Sequence, residues 1–275
     1  MSEVVVTKTL SALSDTDSRA PNFVPLHKTF VVKGTYPKEL LAAWNAFNKT
    51  KGSENTSPTE YDSVTRHYIV MALGFGGVDL ESYVLRSYNK AMSILLQVAL
   101  ALAVAELELE FEHRDLHWGN ILICEEDVPE FIEYVVEGNE VRVRSHGVRV
   151  VIIDFTNSRI FKDGVVVYMD LSVDEVLFQG QGDPQFQVYR DMRAINGDDW
   201  SLYKPETNAL WLDYLVDKLF NGIEGKRPKF AKKQRDEAVK KLAFTKECSS
   251  AADFLKQSLP LFTAFYGSDT NDLFS

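Results

Sequence analysis

The sequence predicts an α+β fold in which short strands come first and helices dominate the C-terminal part. Three observations predict it. Residues 91–111 form one long apolar stretch, residues 133–144 alternate apolar and polar side chains around Gly138-Asn139, and apolar residues from Trp200 onward recur at helical spacing. With 275 residues, 45% of them hydrophobic, the chain is long enough to bury a sizeable core.

The remaining elements follow from local patterns. Pro37 predicts a helix start, and the helix continues to Phe47 with its apolar residues on one face. Apolar runs predict short strands at residues 30–32, 68–71, 121–123 and 148–153, and three- and four-residue spacing predicts a C-terminal helix with Trp211, Leu212, Leu215 and Leu219 on one side.

The apolar stretch at residues 91–111 has the length of a membrane span. Ser93, Gln97 and three glutamates interrupt it, so no clean run of 18 apolar residues remains. The sequence therefore predicts a helix buried in a large domain and no membrane association.

Charge and cysteine content limit the function classes. Forty acidic residues against thirty basic ones give a net charge of -10, which disfavours direct nucleic-acid binding and suits a basic partner. Only Cys124 and Cys248 are present, which excludes a disulfide framework or a cysteine metal site and favours an intracellular protein. Residues 1–23 lack the apolar core of a signal peptide and are predicted to be a flexible tail.

One constellation carries chemistry. Asp115 lies in His113-Arg114-Asp115 with Asn120 five residues later, and Asp154 ends a later predicted strand. Phosphoryl transfer needs a group that orients the attacking hydroxyl and oxygen ligands that hold Mg²⁺ against the phosphates, and these three residues could supply both. A purely structural role is the alternative for His113, as a brace of the backbone, and for Arg114, as the partner of a buried carboxylate.

These motifs resemble the haspin family of serine/threonine protein kinases. The resemblance rests on Glu112-His113-Arg114-Asp115-Leu116-His117-Trp118-Gly119-Asn120, on Asp154-Phe155-Thr156, and on segments such as Asp170-Leu171-Ser172-Val173-Asp174-Glu175, and it extends over residues 24–262. It implies a protein-kinase-like fold with a mainly helical C-terminal lobe and small β-hairpins.

The resemblance also implies roles in binding ATP and Mg²⁺. Asp115 would be the catalytic base, and Asn120 and Asp154 the magnesium ligands. His117 stands where most serine/threonine kinases place a lysine, and a structural role in the loop is an equal alternative for it. Residues 72–74 would form the hinge against adenine, with Ala72 and Gly74 offering backbone groups, and Asp79 would approach the ribose.

The family phosphorylates a threonine near the start of a histone tail and reads the flanking basic residues with acidic ones. The matching residues here are Asp174, Glu175 and Asp183, but Gln181 replaces a second aspartate, which puts tail recognition in doubt. Asp174 and Glu175 could also form only a solvated turn. The implied partner is a basic protein tail such as that of histone H3, and the implied location is nuclear or chromosomal.

The N-terminal region departs from an ordinary kinase. Residues 1–70 contain only Gly34 and Gly52, which form no glycine-rich loop, and no lysine lies in a suitable strand, since Lys33 comes too late. The sequence therefore predicts an N-terminal lobe that is reduced or absent, with residues 24–80 as its remnant and hinge and residues 81–275 as the C-terminal lobe.

Three function classes remain open at this point. The chain is a haspin-like kinase, a catalytically inactive haspin-like module that binds a protein, or a small-molecule kinase, since aminoglycoside and choline kinases share the His-x-Asp pattern. The haspin-like segments after Asp154 argue against the third class.

Overall fold

The computed structural model describes residues 2–53, 56–61, 66–223 and 225–267. The elements, in chain order, are α1 (Ser2–Ser11), β1 (Leu26–Gly34), α2 (Lys38–Lys51), β2 (Arg66–Leu73), β3 (Val78–Asp79), α3 (Tyr88–Leu109), β4 (Ile121–Cys124), β5 (Phe131–Val136), β6 (Asn139–Arg144), β7 (Arg149–Ile152), β8 (Ile160–Lys162), β9 (Val165–Val167), α4 (Glu175–Gln179), α5 (Gln185–Asn196), α6 (Glu206–Phe220), α7 (Lys232–Lys241) and α8 (Ala251–Ser258). The α+β prediction is confirmed.

The chain divides into two compact units. The small unit is residues 26–73, and the large unit joins residues 1–25 to residues 74–275. The boundary at residue 73 lies within the segment predicted as remnant and hinge, but residues 74–80 belong to the large unit.

The small unit contains β1, α2 and β2. The two strands pair antiparallel, with Phe30 opposite Val70 and Val32 opposite Tyr68. Helix α2 follows Pro37, as predicted, and ends before Gly52, whose φ of 76° is readily adopted by glycine.

The predicted flexible tail at residues 1–23 is wrong for the residues that the structure describes. Residues 2–11 form α1, and Val6, Leu10 and Leu13 are buried against the large unit's core. These residues follow the spacing of one helical face, so a short amphipathic helix docks here although no continuous apolar run marks it. Residues 22–24 then run beside β7, where Val24 N donates to Ile152 O at 3.0 Å.

The long apolar segment forms α3, and the prediction of a buried helix is confirmed. It has the length and hydropathy of a membrane span, yet 89% of its most apolar window is buried inside the protein. Three of its polar side chains, Ser93, Gln97 and Glu106, are buried and hydrogen-bonded. Gln97 Nε2 donates to Val148 O and Gln97 Oε1 accepts from Val150 N, both at 2.9 Å. Such polar residues hold the helix against β7, because a buried amide without partners would be costly.

A three-stranded sheet with the order β3-β4-β7 positions the candidate site. Ile121 of β4 lies opposite Ile152 of β7, so the residues at the adjoining strand ends, Asn120 and Asp154, come to the same edge. Gly77 precedes β3 with a φ of 103°, and a Cβ there would lie 2.0 Å from Ile123 O. Only glycine allows this close approach between the two strands.

Two hairpins are described in the large unit. The first joins β5 to β6 through Glu137 and Gly138, which have φ values of 51° and 79° and so form the turn that the sequence around Gly138 predicts. The second joins β8 to β9 and follows Asp154 in the chain. The small β-hairpins expected from the sequence are therefore present.

The C-terminal part is helical, as predicted from its periodicity. Trp211, Leu212, Leu215 and Leu219 of α6 are all buried in the core of the large unit. Helix α6 contacts α3, α5, α7 and α8, so its buried face supports the elements that carry the candidate site.

Candidate active site

The loop between α3 and β4 is fixed at its beginning by backbone and side-chain bonds. Glu112 and Arg159 exchange backbone hydrogen bonds of 3.0 and 2.9 Å. His113 is fully buried, its Nδ1 accepts from Asp115 N at 3.3 Å, and its Nε2 lies 3.1 Å from Ile153 O. Nε2 therefore carries the proton and donates to Ile153. Burial lowers the pKa of His113 to about 4, so the ring is a neutral brace, which is the structural alternative considered for it.

Arg114 also has a structural role. Its guanidinium is fully buried and makes two hydrogen bonds to the Glu112 carboxylate, at 3.1 and 3.0 Å. A further bond of 2.7 Å to Trp200 O uses another donor. The two buried charges neutralise each other, which confirms the alternative in which Arg114 satisfies a carboxylate.

Asp115 is held through both carboxylate oxygens by neutral donors. The Tyr189 hydroxyl of α5 donates to Oδ1, and Asn157 Nδ2 donates to Oδ2 at 3.2 Å. Burial raises the pKa of Asp115 to about 6, although His117, Tyr189 and Asn157 lower it. A carboxylate with fixed orientation and a pKa near neutrality has the properties of a general base.

His117 caps the short turn at residues 118–120. Its Nδ1 accepts from Gly119 N at 3.1 Å, so Nε2 carries the proton, and this atom lies 3.9 Å from Asp115 Oδ1. The ring is 28% exposed. His117 thus has a structural contact on one nitrogen and faces the candidate base with the other.

Asn120 connects the loop to the end of β7. Its Nδ2 donates to Asp115 O at 2.9 Å, and its backbone oxygen accepts from Ile153 N at 3.1 Å. Because Nδ2 is used within the loop, Oδ1 is the atom left to bind a cation.

Asp154 interacts electrostatically with a second carboxylate, Glu3, which the sequence reasoning missed. Asp154 is exposed, has a φ of 61°, and accepts from Thr156 N at 3.2 Å. Glu3 lies in α1, and burial raises its pKa. The negative charge of Asp154 also raises this pKa, whereas a hydrogen bond from the Thr156 side chain lowers it. Asp154 also raises the pKa of Asp115, so the three carboxylates form one electrostatically coupled cluster.

The site around Asp154 offers oxygen ligands that suit a hard divalent cation. Among the described residues, no Lys or Arg forms an ion pair with Glu3, Asp115 or Asp154, and the basic side chain within 4.0 Å of Asp115 is His117, with Nε2 at 3.9 Å. No group of three or more His, Cys, Asp or Glu in that part of the chain is arranged as a preformed metal centre. Mg²⁺ commonly binds through one or two protein oxygens and substrate phosphates, which matches Asn120 Oδ1 and Asp154.

The predicted nucleotide-binding residues fall in both units. Asp79 lies in β3, which pairs with β4, the strand that follows Asn120. The Asp79 carboxylate accepts from Ser82 N at 2.7 Å and so closes a turn after β3. Gly74 begins the large unit and donates to Pro25 O at 2.8 Å. Ala72 lies in β2 of the small unit, opposite Lys28. The structure therefore brings Asp115, His117 and Asn120 together with Asp154 within the large unit.

The predicted substrate-reading acids differ in how much charge they expose. Glu175 makes a bidentate pair with Arg193, at 2.9 and 3.2 Å, and Asp183 Oδ2 lies 2.6 Å from Lys218 Nζ. Asp174 is exposed and has no ion pair among the described residues. Two of the three acids are thus already paired with cations of the protein.

Sequence reasoning missed three further residues of the site. Glu3 had a signal, since Val6, Leu10 and Leu13 after it predict a helical face, but residues 1–23 were interpreted as a tail. Asn157 and Tyr189 had none, because their contacts to Asp115 span 42 and 74 residues of chain.

Comparison with known proteins gives consistent matches. A family model described as a haspin-like kinase domain matches residues 1–260, which includes α1 and begins earlier than the resemblance seen in the motifs. The chain is similar to the serine/threonine-protein kinase haspin of Bos taurus and of Mus musculus, each with 42% identity over 243 residues. It is also 41% identical over 224 residues to a haspin homolog of Arabidopsis thaliana.

These alignments cover most of the chain and a smaller part of the relatives. They include 87% of this chain for the two mammalian proteins and 80% for the plant protein. The same alignments cover 30%, 31% and 37% of the relatives, so the chain spans about a third of the length of the curated proteins it matches.

Proposed function

Because the chain belongs to the haspin-like kinase family, we propose that it transfers the γ-phosphate of ATP to a serine or threonine hydroxyl of a protein. The observation that carries this proposal is the geometry around Asp115. Its two oxygens are fixed by Tyr189 and Asn157, and the loop that bears it also positions Asn120 beside the strand end that leads to Asp154.

In this proposal Asp115 orients the attacking hydroxyl and accepts its proton. Burial brings the pKa of Asp115 to about 6, so the carboxylate is ionised at neutral pH and still basic enough to take a proton. Tyr189 and Asn157 hold it without a full positive charge, which would depress its basicity further. His117 Nε2, 3.9 Å away, offers a donor beside the base.

Asn120 and Asp154 hold Mg²⁺ in the proposal. Bound Mg²⁺-ATP supplies the phosphoryl group and neutralises the charge that develops on it. The protein supplies the Asp154 carboxylate and Asn120 Oδ1, both oxygen ligands of the kind that Mg²⁺ prefers. The ribose would approach Asp79, and the backbone of Gly74, also in the large unit, would face adenine.

Glu3 adds a further part to the kinase site. In protein kinases a helix glutamate pairs with a strand lysine that contacts the nucleotide phosphates, close to the metal-binding aspartate. Glu3 lies on a helix and is electrostatically coupled to Asp154. We assign Glu3 to the position of this helix glutamate. Its carboxylate would pair with the cation that contacts the nucleotide phosphates.

The substrate in the proposal is a basic protein tail, of which the histone H3 N-terminus is one. The support is the net charge of -10 and the exposed Asp174 at the N-terminal end of α4, with Val173 and Val176 exposed on either side. Such a tail would place the protein at chromatin, and imaging of the tagged full-length protein in dividing cells would test this location.

The direct test is phosphate transfer by the purified chain. Calorimetry would measure ATP binding with and without Mg²⁺, and labelled ATP would report transfer to an H3 tail peptide, to a scrambled peptide of equal charge and to a peptide with its threonines replaced. We expect Mg²⁺-dependent binding and transfer only where a threonine or serine is present.

Asp154→Asn and Asp115→Asn separate the two proposed roles. The first should abolish Mg²⁺-dependent nucleotide binding, and the second should retain binding but lose transfer. Asp163→Asn makes the same chemical change in an exposed turn and should alter neither. Absence of nucleotide binding at millimolar ATP would refute the kinase proposal, and tail binding without transfer would support an inactive binding module instead.

A further inference from the structure

Lys218 of α6 is a buried lysine that no sequence motif marks. Its side chain has no exposed surface, and its Nζ lies 2.6 Å from Asp183 Oδ2. The Trp118 ring centroid is 4.8 Å from Nζ, and the Tyr214 ring centroid is 5.2 Å away. A fully desolvated ammonium is costly, and here one carboxylate and two aromatic faces compensate it.

The first link from Lys218 leads to the loop between α3 and β4 at residues 110–120, which bears Asp115 and is called the catalytic loop below. Trp118 directly follows His117 and begins the turn that ends at Asn120. The cation of Lys218 lies over the face of the Trp118 ring, so it holds the beginning of this turn against α6. Displacing the ring would move the residues on both sides of it.

The second link leads to Asp115 through α5. Asp183 uses Oδ2 for Lys218 and Oδ1 to accept from Gln185 N at 2.9 Å, which fixes the beginning of α5. One turn later, Tyr189 donates its hydroxyl to Asp115. The Tyr189 ring packs edge-on against Trp211 of α6, with 5.5 Å between the ring centroids, so α5 is also held against the helix that carries Lys218.

We propose that Lys218 is a positioning residue for phosphoryl transfer, which joins the catalytic loop at Trp118 to the start of α5 at Asp183 and thereby sets the orientation of Asp115. This inference rests on the proposed kinase function. It also gives Asp183 a second role, because its charge is used inside the protein and is not wholly free for a basic substrate.

Lys218→Met tests the proposal, because methionine keeps much of the length and removes the charge. We expect kcat to fall by about 10²-fold, as small misplacements of catalytic groups commonly cause, with the KM for ATP little changed. Lys241→Met is the matched control, since Lys241 pairs with Glu237 on exposed α7 and should leave both constants unchanged.

Asp183→Asn provides a second variant in case the first folds poorly. The amide oxygen that this substitution introduces could still accept from Gln185 N, but the charge that pairs with Lys218 would be lost. We therefore expect the same loss of kcat and no further loss in the double variant. If Asp183 acted only by reading the substrate, Asp183→Asn would raise the KM for the peptide while Lys218→Met would not, and the proposal would be wrong.

Hydrogen exchange gives a readout that does not need activity. In Lys218→Met, the amides of residues 185–189 and 117–120 should exchange faster, while those of α3 keep their protection. Equal acceleration throughout, or an unchanged kcat in a folded variant, would overturn the proposal. If the unsubstituted chain transfers no phosphate, the kinase function fails, and the exchange pattern still decides whether Lys218 links these two segments.

Discussion

Two groups of charged side chains at the candidate site are organised in opposite ways. Glu112 and Arg114 are fully buried and pair with each other, and their remaining atoms bond to neighbours such as Trp200 and Thr207. The cluster of Glu3, Asp115 and Asp154 contains three carboxylates that no Lys or Arg of the described chain pairs with.

The difference separates structural from functional charge. A charge pair that is complete in the fold stabilises one arrangement and leaves no capacity for a ligand. Carboxylates left next to one another repel, and this repulsion is relieved when a cation binds. The first group thus holds the loop, and the second leaves carboxylates that the proposed function uses for Mg²⁺ and the substrate.

The largest expected effect comes from Asp115→Asn. Loss of a general base should lower kcat by about 10²–10⁴-fold.

The same variant should be more stable than the parent protein at neutral pH. Burial raises the Asp115 pKa to about 6, so the stabilising contribution of this carboxyl is complete below its ordinary pKa near 3.8 and is lost as pH rises through 6. Chemical denaturation at pH 7.5 would measure this, and a variant less stable than the parent would contradict it.

Glu112→Gln tests the complete pair and should act on stability. Arg114 would remain buried without its counter-charge, and we expect the free energy of unfolding to fall by about 3–5 kcal/mol. Urea denaturation at pH 7 is the measurement. Glu175→Gln is the matched control, since it removes one partner of the exposed pair with Arg193 and should leave the unfolding midpoint unchanged. Equal effects of the two variants would remove the distinction.

Glu106 is an intermediate case, because neutral donors alone satisfy it. Its carboxylate accepts from Asn208 Nδ2 at 2.9 Å and from Ala251 N at 3.0 Å, and burial raises its pKa to about 7. The raised pKa means that its stabilising contribution is complete below about pH 4.5 and is lost as pH rises through 7.

Glu106→Gln should therefore gain stability relative to the parent as pH rises from 5 to 8, by on the order of 3 kcal/mol. The substitution also removes one hydrogen-bond acceptor, which lowers the stability of the variant by the same amount at every pH. The change of the stability difference with pH is therefore the informative quantity. Glu108→Gln, at an exposed position of the same helix, should show no such trend. A constant difference across the range would mean that Glu106 titrates normally.

The smallest effect is expected for Asn157→Leu. Asn157 stabilises the ionised form of Asp115, so its loss should raise the Asp115 pKa and move the acidic limb of the kcat/KM profile to higher pH by about 0.5–1 unit, the equivalent of one neutral hydrogen bond. Rates between pH 5 and 8 would measure the shift. Asn221→Leu, at an exposed position, should leave the profile in place, and a shift to lower pH would contradict the assigned hydrogen bond.

Much of the fold followed from local patterns. The burial of α3, the β5-β6 turn at Gly138 and the face of α6 that contains Trp211 depend on periodicity and turn chemistry, which neighbouring residues fix. Helix α1 was missed because its stabilisation comes from docking Val6 and Leu10 on a distant core and not from its own composition.

The sequence by itself determined the candidate base, the candidate metal ligands and the family, because these depend on residue type and close spacing along the chain. Only the tertiary structure decided that the charges of Glu3 and Asp154 interact, that Tyr189 and Asn157 hold Asp115, and that Lys218 pairs with Asp183. These contacts join residues far apart in the chain, and burial, which decides which charges must be paired, exists only in the folded protein.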